Sequence, residues 1–430
     1  VVPLATFASD FGVAATSESG ISGALGRSVE FSQVGRAALT LVLTPAEEVA
    51  FRVHGGYQYT LSDPLPLDWD NFFVDELSYT LGARRADARP ADARFSITVG
   101  RFPFSDLTGS IYEELLDGGR IAMSDQVRSV SVTAGYTGLL FAHDTMVLVS
   151  NADAVERADA DPFGPPRAVA ELVGRTRFPA AGITLSVALL AQFDLHDPST
   201  LAQPGDTTPT VGGPVSTQYQ SVALSGQFAR SFSYVIGSTL TSGRTLSFVD
   251  SEYGVSPIRA LLAYGLLEYA PVTPLEPILT LDLLFASGDA DATAILEGNT
   301  AGAATAFVPI TNRSLGFVKS PVLSNLARFN LRGSLRPLGG MQGANLADAF
   351  VVSGFGSAYL QPTSGVSPFA DGASGYTGIY LGSEAGVGLT VIPASFLSIG
   401  VDGALFFPAA SAFGSGDLLY RGVATVRIAY

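Results

Sequence analysis

The feature that most constrains this chain is a period-two alternation of apolar and polar residues. It is carried in segments of about ten residues, repeated from one end of the chain to the other. In 326–338, Ala327, Phe329, Leu331, Gly333 and Leu335 alternate with Arg328, Asn330, Arg332, Ser334 and Arg336. In 418–430, Tyr420, Gly422, Ala424, Val426, Ile428 and Tyr430 share one face, and Leu419, Arg421, Val423, Thr425, Arg427 and Ala429 share the other. Successive side chains of a strand point to opposite faces, so each segment offers one apolar side and one wettable side. The chain is 47% hydrophobic, yet no run reaches the roughly 18 uninterrupted apolar residues of a spanning helix. Apolar content spread over many short strands is what a transmembrane barrel needs.

The alternation predicts about eighteen strands: 4–15, 35–44, 48–61, 72–84, 93–103, 127–141, 145–152, 168–179, 182–196, 217–229, 231–244, 258–270, 277–288, 326–338, 349–361, 379–392, 395–408 and 418–430. Connections tend to alternate in length. Short ones fall at 44–48, 142–144, 179–182, 229–231, 271–277 and 392–395, and long ones at 16–34, 104–126, 153–167, 197–216, 245–257, 289–325 and 362–378. Short turns on one side of a membrane and long loops on the other are the outer-membrane pattern. The predicted fold is all-β: one transmembrane antiparallel up-and-down β-barrel over 1–430, both termini on the short-turn side. Aromatics near strand ends (Tyr57, Tyr59, Tyr79, Phe193, Phe228, Tyr234, Tyr269, Phe407 and Tyr420) suit the headgroup girdles of such a barrel, and Tyr430 suits the aromatic end of a final strand. Val1 reads as a mature start after a cleaved export signal.

Three features bear on function. The segment 104–126 contains Ser110 and Glu113 at capping-box spacing and Gly118 as a stop, which predicts a short helix over 111–117. Its Ile111, Leu115 and Leu116 need an apolar surface, so this loop is expected to fold inward and narrow a pore, with Asp106, Glu113, Glu114, Asp117 and Arg120 as its charged residues. Second, Arg36, Arg52, Arg94, Arg175, Arg177, Arg328, Arg332, Arg336, Arg421 and Arg427 fall on lumen-facing positions. Arg328, Arg332 and Arg336 form a ladder roughly 27 Å long at about 3.3 Å per residue. Rings of positive side chains attract anions, although Glu76, Glu171, Asp282, Glu384 and Asp402 share the lumen and offer them partners. Third, Asp153, Glu156, Asp159, Asp161, Asp289 and Asp291 enrich the loops in acid without the fixed spacing of a calcium loop. Near a lipopolysaccharide surface they could bind Ca²⁺ or Mg²⁺, but the favoured reading is solvated charge, and no metal site or cofactor is assigned.

Several classes are excluded or disfavoured. A net charge of -15 argues against nucleic-acid binding. The absence of cysteine removes disulfides and thiolate metal sites. His54, His143 and His196 accompany no nucleophile motif, and Ser96–Arg101 is no phosphate cradle. An enzyme is not expected. A strand at 4–15 leaves no space for the plug domain of an energy-coupled transporter.

The stretch Leu381-Gly-Ser-Glu384, the turn at Pro393, Phe406-Phe-Pro408, Phe285-Ala-Ser-Gly-Asp289 and Gly100-Arg101 resemble the alginate-export-type and OprD-like outer-membrane porins. That resemblance implies a single eighteen-stranded barrel, a monomer rather than a trimer, with inward loops and an arginine-lined path for anionic solutes. Gly386 stands where the family usually has an acid, which leaves the solute open. The expected partners are outer-membrane lipid, lipopolysaccharide and small polar or anionic solutes. The rival expectation is a structural or adhesive outer-membrane barrel closed by its loops.

Overall fold

The computed structural model describes residues 2–20, 26–44, 47–62, 72–84, 94–142, 145–158, 163–207, 212–339, 349–370, 372, 376–394, 396–414 and 416–429, with 2–76, 82–84 and 429 as backbone only. The strands are β1 (Val2–Gly20), β2 (Gly26–Thr44), β3 (Glu47–Ser62), β4 (Phe72–Arg84), β5 (Arg94–Ser105), β6 (Glu113–Ser124), β7 (Arg128–Tyr136), β8 (Arg167–Phe178), β9 (Ile183–Asp194), β10 (Ser216–Ala229), β11 (Phe232–Val249), β12 (Glu252–Tyr269), β13 (Ile278–Ala286), β14 (Leu326–Leu335), β15 (Phe350–Leu360), β16 (Tyr380–Ala394), β17 (Leu397–Pro408) and β18 (Leu419–Ala429). Two short helices, α1 (Asn151–Ala158) and α2 (Ala410–Phe413), lie in connections. Every strand pairs antiparallel with its sequence neighbours, and β1 also pairs with β18, Asp10 opposite Ala429.

The alternation has the physical form expected of a sheet with one face in lipid. On β9, Leu185, Val187, Leu189 and Phe193 are exposed while Ser186, Ala188, Leu190 and Gln192 are buried. On β17, Ile399, Val401, Leu405 and Phe407 are exposed while Ala404 and Phe406 are buried. In a soluble sheet the apolar face would be the buried one; here the buried face is the mixed one. Among the described residues no helix is long and apolar enough to cross a membrane.

Several sequence expectations fail. No helix forms over 111–117; Glu113–Ser124 is strand β6, paired with β5 and β7. The capping box expected of Ser110 does not form, because Asp106 takes the N–H groups of Ser110, Ile111 and Tyr112. Conversely, 145–152 is not a wall strand. It makes one isolated bridge, Val147 to Thr311, and then enters α1. The connection 104–126 thus shrinks to the tip 106–112, and the turn expected at 142–144 falls in the stretch between β7 and β8, where 143 and 144 lie outside the described residues. The expected loop 245–257 is also a hairpin: Asp250 and Ser251 take positive φ, as a two-residue turn between β11 and β12 requires. The expectations for Tyr430, His143, Asp159 and Asp161 lie outside the described residues, and for Arg36, Arg52, Tyr57, Tyr59, His54 and Glu76 only the backbone is described.

Candidate functional site

The connection between β13 and β14, 287–325, does not lie over the rim of the sheet. It passes between opposite walls. Midway along, Ala304 N donates to Pro257 O on β12 at 2.9 Å. The Tyr219 hydroxyl on β10 then donates to Val308 O at 2.8 Å. Further on, Ile310 N and Thr311 N both donate to Ile111 O, at the β5–β6 tip, at 2.8 and 3.0 Å. Glu113 N returns a bond to Thr311 Oγ1, and Arg313 reaches Glu113 Oε2 at 2.9 Å. The chain then crosses back: Phe317 N and Val318 N donate to Glu384 on β16, Arg328 on β14 donates to Leu315 O, and Arg421 on β18 donates to Phe317 O. One segment is therefore fastened to β5–β6, β10, β12, β14, β16 and β18, which only a path through the interior allows.

Its composition explains the path. Phe307, Ile310, Leu315 and Leu323 are buried and join one apolar cluster with Tyr112, Tyr219, Tyr359, Phe369 and Phe406. A loop in water gains nothing from these side chains, whereas burying each contributes about 1.5–3 kcal/mol. The tip it docks on is rigid for a separate reason. Asp106, 6% exposed, accepts four backbone N–H bonds, from Thr108, Ser110, Ile111 and Tyr112, at 2.7–3.2 Å.

The connection 137–166 packs beside it. Leu148 N donates to Ile310 O, and Met146 N donates to the Glu114 carboxylate. The N-terminus of α1 carries a capping box: Ser150 N donates to Asp153 Oδ2 and Asp153 N to Ser150 Oγ. Arg167, fully buried, holds Asp153, Gln192, Ser150 and Val215 O together at the top of β8. His196 sits against the same helix, with Nδ1 2.6 Å from Asp194 and Nε2 3.2 Å from Glu156. Burial opposes its charge, but these carboxylates outweigh burial and raise its pKa above the ordinary value. Glu297 accepts N–H bonds from Asn151 and Gly213, and burial still pushes its carboxyl up to about 7.

The expected site residues divide into groups. Arg94, Arg120, Arg175 and Arg177 fall on the inward parity of β5, β6 and β8, the parity of buried Phe102, Leu116 and Val173. Across the interior, Arg421 lies over the Phe317 ring at 5.4 Å, and Arg427 shares its parity. The ladder is shorter than expected. Arg328 is buried and ion-paired with Asp282, and Arg332 is exposed to the interior. Arg336 lies beyond β14 and pairs with Glu276 in a turn at the opposite end from the crossing connection. Asp117 is not among the crossing contacts either; it forms a bidentate pair with Arg101 on the neighbouring strand at 2.7 and 2.9 Å. Beneath residues 314–317 lies a cavity of about 720 Å³ lined by Glu268, Asn330, Arg332, Ser353 and Phe355. The residues that sequence reasoning missed are those of 304–318. Their signal was present: Phe307, Val308, Ile310, Leu315, Phe317 and Val318 are too apolar for a solvated loop.

No family model and no curated protein sequence matches this chain. Solved structures do. Pseudomonas aeruginosa OccK2 (OpdF) matches with a TM-score of 0.56 at 12% identity, covering 99% of this chain and 97% of that one. The OpdK structure with vanillate, from the same organism, gives 0.56 at 11%, with 99% of both chains covered. OccK2 in complex with glucuronate gives 0.54 at 13%, covering 99% and 97%. Another structure of OpdK, described as an outer membrane protein, gives 0.54 at 11%, with 99% of both chains covered. At such identity the likeness is one of fold: an all-β antiparallel sheet of the OprD-like kind. These neighbours give no support to the alginate-export resemblance.

Proposed function

We propose that this chain is an outer-membrane porin, a passive channel for small polar and anionic solutes narrowed by the connection 287–325. The observation that carries this reading is the crossing path itself, bonded to both walls, with arginines on either side of the gap. The pairing of β1 with β18 supports an eighteen-stranded barrel closed on itself. The exposed apolar face supports lipid and lipopolysaccharide as its surroundings. Two structural neighbours are described with carboxylates, glucuronate and vanillate. Solvent-reachable inward arginines (Arg120, Arg175, Arg177, Arg332 and Arg427) would favour the same class here. A monomer is the expected form, and passive diffusion along a polar path calls for no cofactor. The constriction shifts from the expected segment 104–126 to 304–318, with Glu113 as a docking point, Asp106 holding the tip it docks on, and Glu114 bonded instead to the neighbouring connection at Met146.

A second reading, a barrel closed by its loops, draws on the apolar cluster that joins the connections across the interior. Planar-bilayer reconstitution separates the two. Stepwise conductance with an anion-side zero-current potential in a salt gradient is the expected result. Absence of steps would favour the closed barrel, and cation preference would remove the anion assignment.

A further inference from the structure

The outer face of the hairpin β11–β12 carries two arginines where a lipid-facing wall would be apolar. Arg244 on β11 and Arg259 on β12 are both exposed, and they share the parity of Leu240 and Leu261, which face lipid. The register sets Ser242 opposite Arg259 and Arg244 opposite Pro257, so the two arginines are diagonal neighbours on one face. Such neighbours stand about 7–8 Å apart, within reach of one another's long side chains. Gln218 and Gln220 on β10 complete the patch. Gln218 lies opposite Ser242, and Gln220 Nε2 donates to Ser242 Oγ at 3.3 Å. Among the described residues, neither guanidinium has a hydrogen bond or an ion pair. The outward positions of β9 to β13 carry no carboxylate. Arg101, an outward arginine on β5, is by contrast held by Asp117.

Their height on the wall identifies what faces them. Tyr269 ends β12 beside the short turns, in an aromatic group with Phe228 and Phe232. Arg259 lies ten positions from it along the strand. That length at about 3.3 Å per residue, tilted by about 40°, rises about 25 Å, the height of the apolar band of an outer-membrane barrel. Between these ends the outward residues of β12 are Leu261, Ala263, Gly265 and Leu267. On β11 the next outward position above Arg244 is Leu246, which is buried in a cluster with Ala202 and Tyr253. The band of β11 open to lipid therefore stops at Arg244. Both arginines stand at the upper edge of the band, on the side of the long connections, at the level of lipid headgroups.

Two like charges side by side on one face are unfavourable unless an anion lies between them. A phosphate meets that need, since a guanidinium offers paired N–H donors that match its oxygens. The donors spread over three strands, about 10 Å across at about 4.8 Å per strand. That footprint is wider than a single phosphate and suits a sugar headgroup carrying more than one. We propose that Arg244, Arg259, Gln218 and Gln220 bind the phosphorylated sugar headgroup of lipopolysaccharide on the outer wall, with its acyl chains along Val222, Leu240 and Leu261. The site rests on the outer-membrane location of the chain and not on what passes through it. It would fasten the outer leaflet to the stretch of β12 where Arg259 N donates to Ala304 O, the point at which the crossing connection joins the wall.

The test is native mass spectrometry of the full chain in detergent, incubated with purified bis-phosphorylated lipid A, with heat-modifiable gel migration as the check that each variant is folded. Retention of one lipid A per chain is expected. Arg244→Gln and Arg259→Gln should each weaken it about fivefold, and together about thirtyfold. Arg230→Gln, in the turn at the other end of the sheet, should leave it unchanged. Retention unchanged in the folded double variant would overturn the proposal, and so would equal retention of lipid A stripped of its phosphates. Phosphatidylglycerol held as tightly as lipid A would overturn the choice of a sugar headgroup. Conductance is read separately: a chain that retains lipid A but gives no steps would remove the transport reading and leave this site standing.

Discussion

Replacing Asp106 by alanine should unfasten the crossing connection without touching it. The Asp106 carboxylate is the acceptor for four backbone N–H groups of the β5–β6 tip, at Thr108, Ser110, Ile111 and Tyr112. Hydrogen bonds to a charged acceptor contribute about 1.5–3 kcal/mol each, and an orphaned buried donor costs about 1–3 kcal/mol. The four share one side chain, and water can enter from the interior, so the simple sum overstates the loss. A local cost of about 3–5 kcal/mol is expected, or roughly two to three and a half decades in amide exchange. Ile111 O is the acceptor for both Ile310 N and Thr311 N, so the loss should propagate to the crossing segment. Hydrogen exchange read by mass spectrometry should show faster exchange in 106–112 and 306–314 together. Single-channel conductance should rise, or become noisier, as the constriction loosens. Asp106→Asn keeps one acceptor oxygen and should lose less. Unchanged protection of both segments in Asp106→Ala would refute the account of the tip as the dock.

Other outcomes follow from the same contacts. The docking of α1 should weaken as pH rises from about 5 to 8. The raised pKa of His196 stabilises below about 6.5, and that contribution is lost as pH climbs through the folded value. Glu297, with a folded pKa of about 7, is neutral below it and becomes a buried charge above it, so it acts in the same direction. Exchange of 151–158, corrected for intrinsic rate, should therefore accelerate; an accelerating trend that survives in His196→Gln with Glu297→Gln would exclude these two groups as its source. Arg167→Met removes the guanidinium shared by buried Asp153 and Asp194, leaving His196 as the remaining cationic neighbour, and should cost about 3–5 kcal/mol, read as a lower temperature for loss of heat-modifiable migration. Arg175→Gln with Arg177→Gln should move the zero-current potential toward the cation side; an unmoved potential would take both off the path. Tyr219→Phe removes one bond to Val308 O and should cost about 1 kcal/mol, seen as modestly faster exchange in 304–311 alone.

The wall was largely legible in the sequence because period two is a local property. β4, β8, β9, β10 and β14 lie within two or three residues of their expected bounds. The errors came from local signals that a tertiary partner overrode. Ser110 and Glu113 have capping-box spacing, but Asp106 captured the N–H groups such a cap would need, and pairing with β5 and β7 drew Glu113 into a strand. A working capping box was present at Ser150 and Asp153, hidden behind the apolar run 145–149 that looked like a strand. The interior was less legible, since which loop turns inward depends on what faces it. Arg328 carried the right parity, but nothing local shows that Asp282 on the adjacent strand neutralises it. Likewise Glu384 was placed in the lumen, yet its role as acceptor for Phe317 N and Val318 N needed a segment some 66 residues upstream.

That reach along the chain also imposes an order on assembly. Arg313 and Glu113 meet across 200 residues of sequence, and Arg421 meets Phe317 across 104. The first contact needs β5–β6 in place and the second needs β18, so the segment is held on both sides only once those strands have paired. Closing such distant pairs late, after the hairpins have zipped up, avoids their entropic cost while the chain is open. The narrowing of the interior is thus expected late in folding, after the strands it leans on have paired.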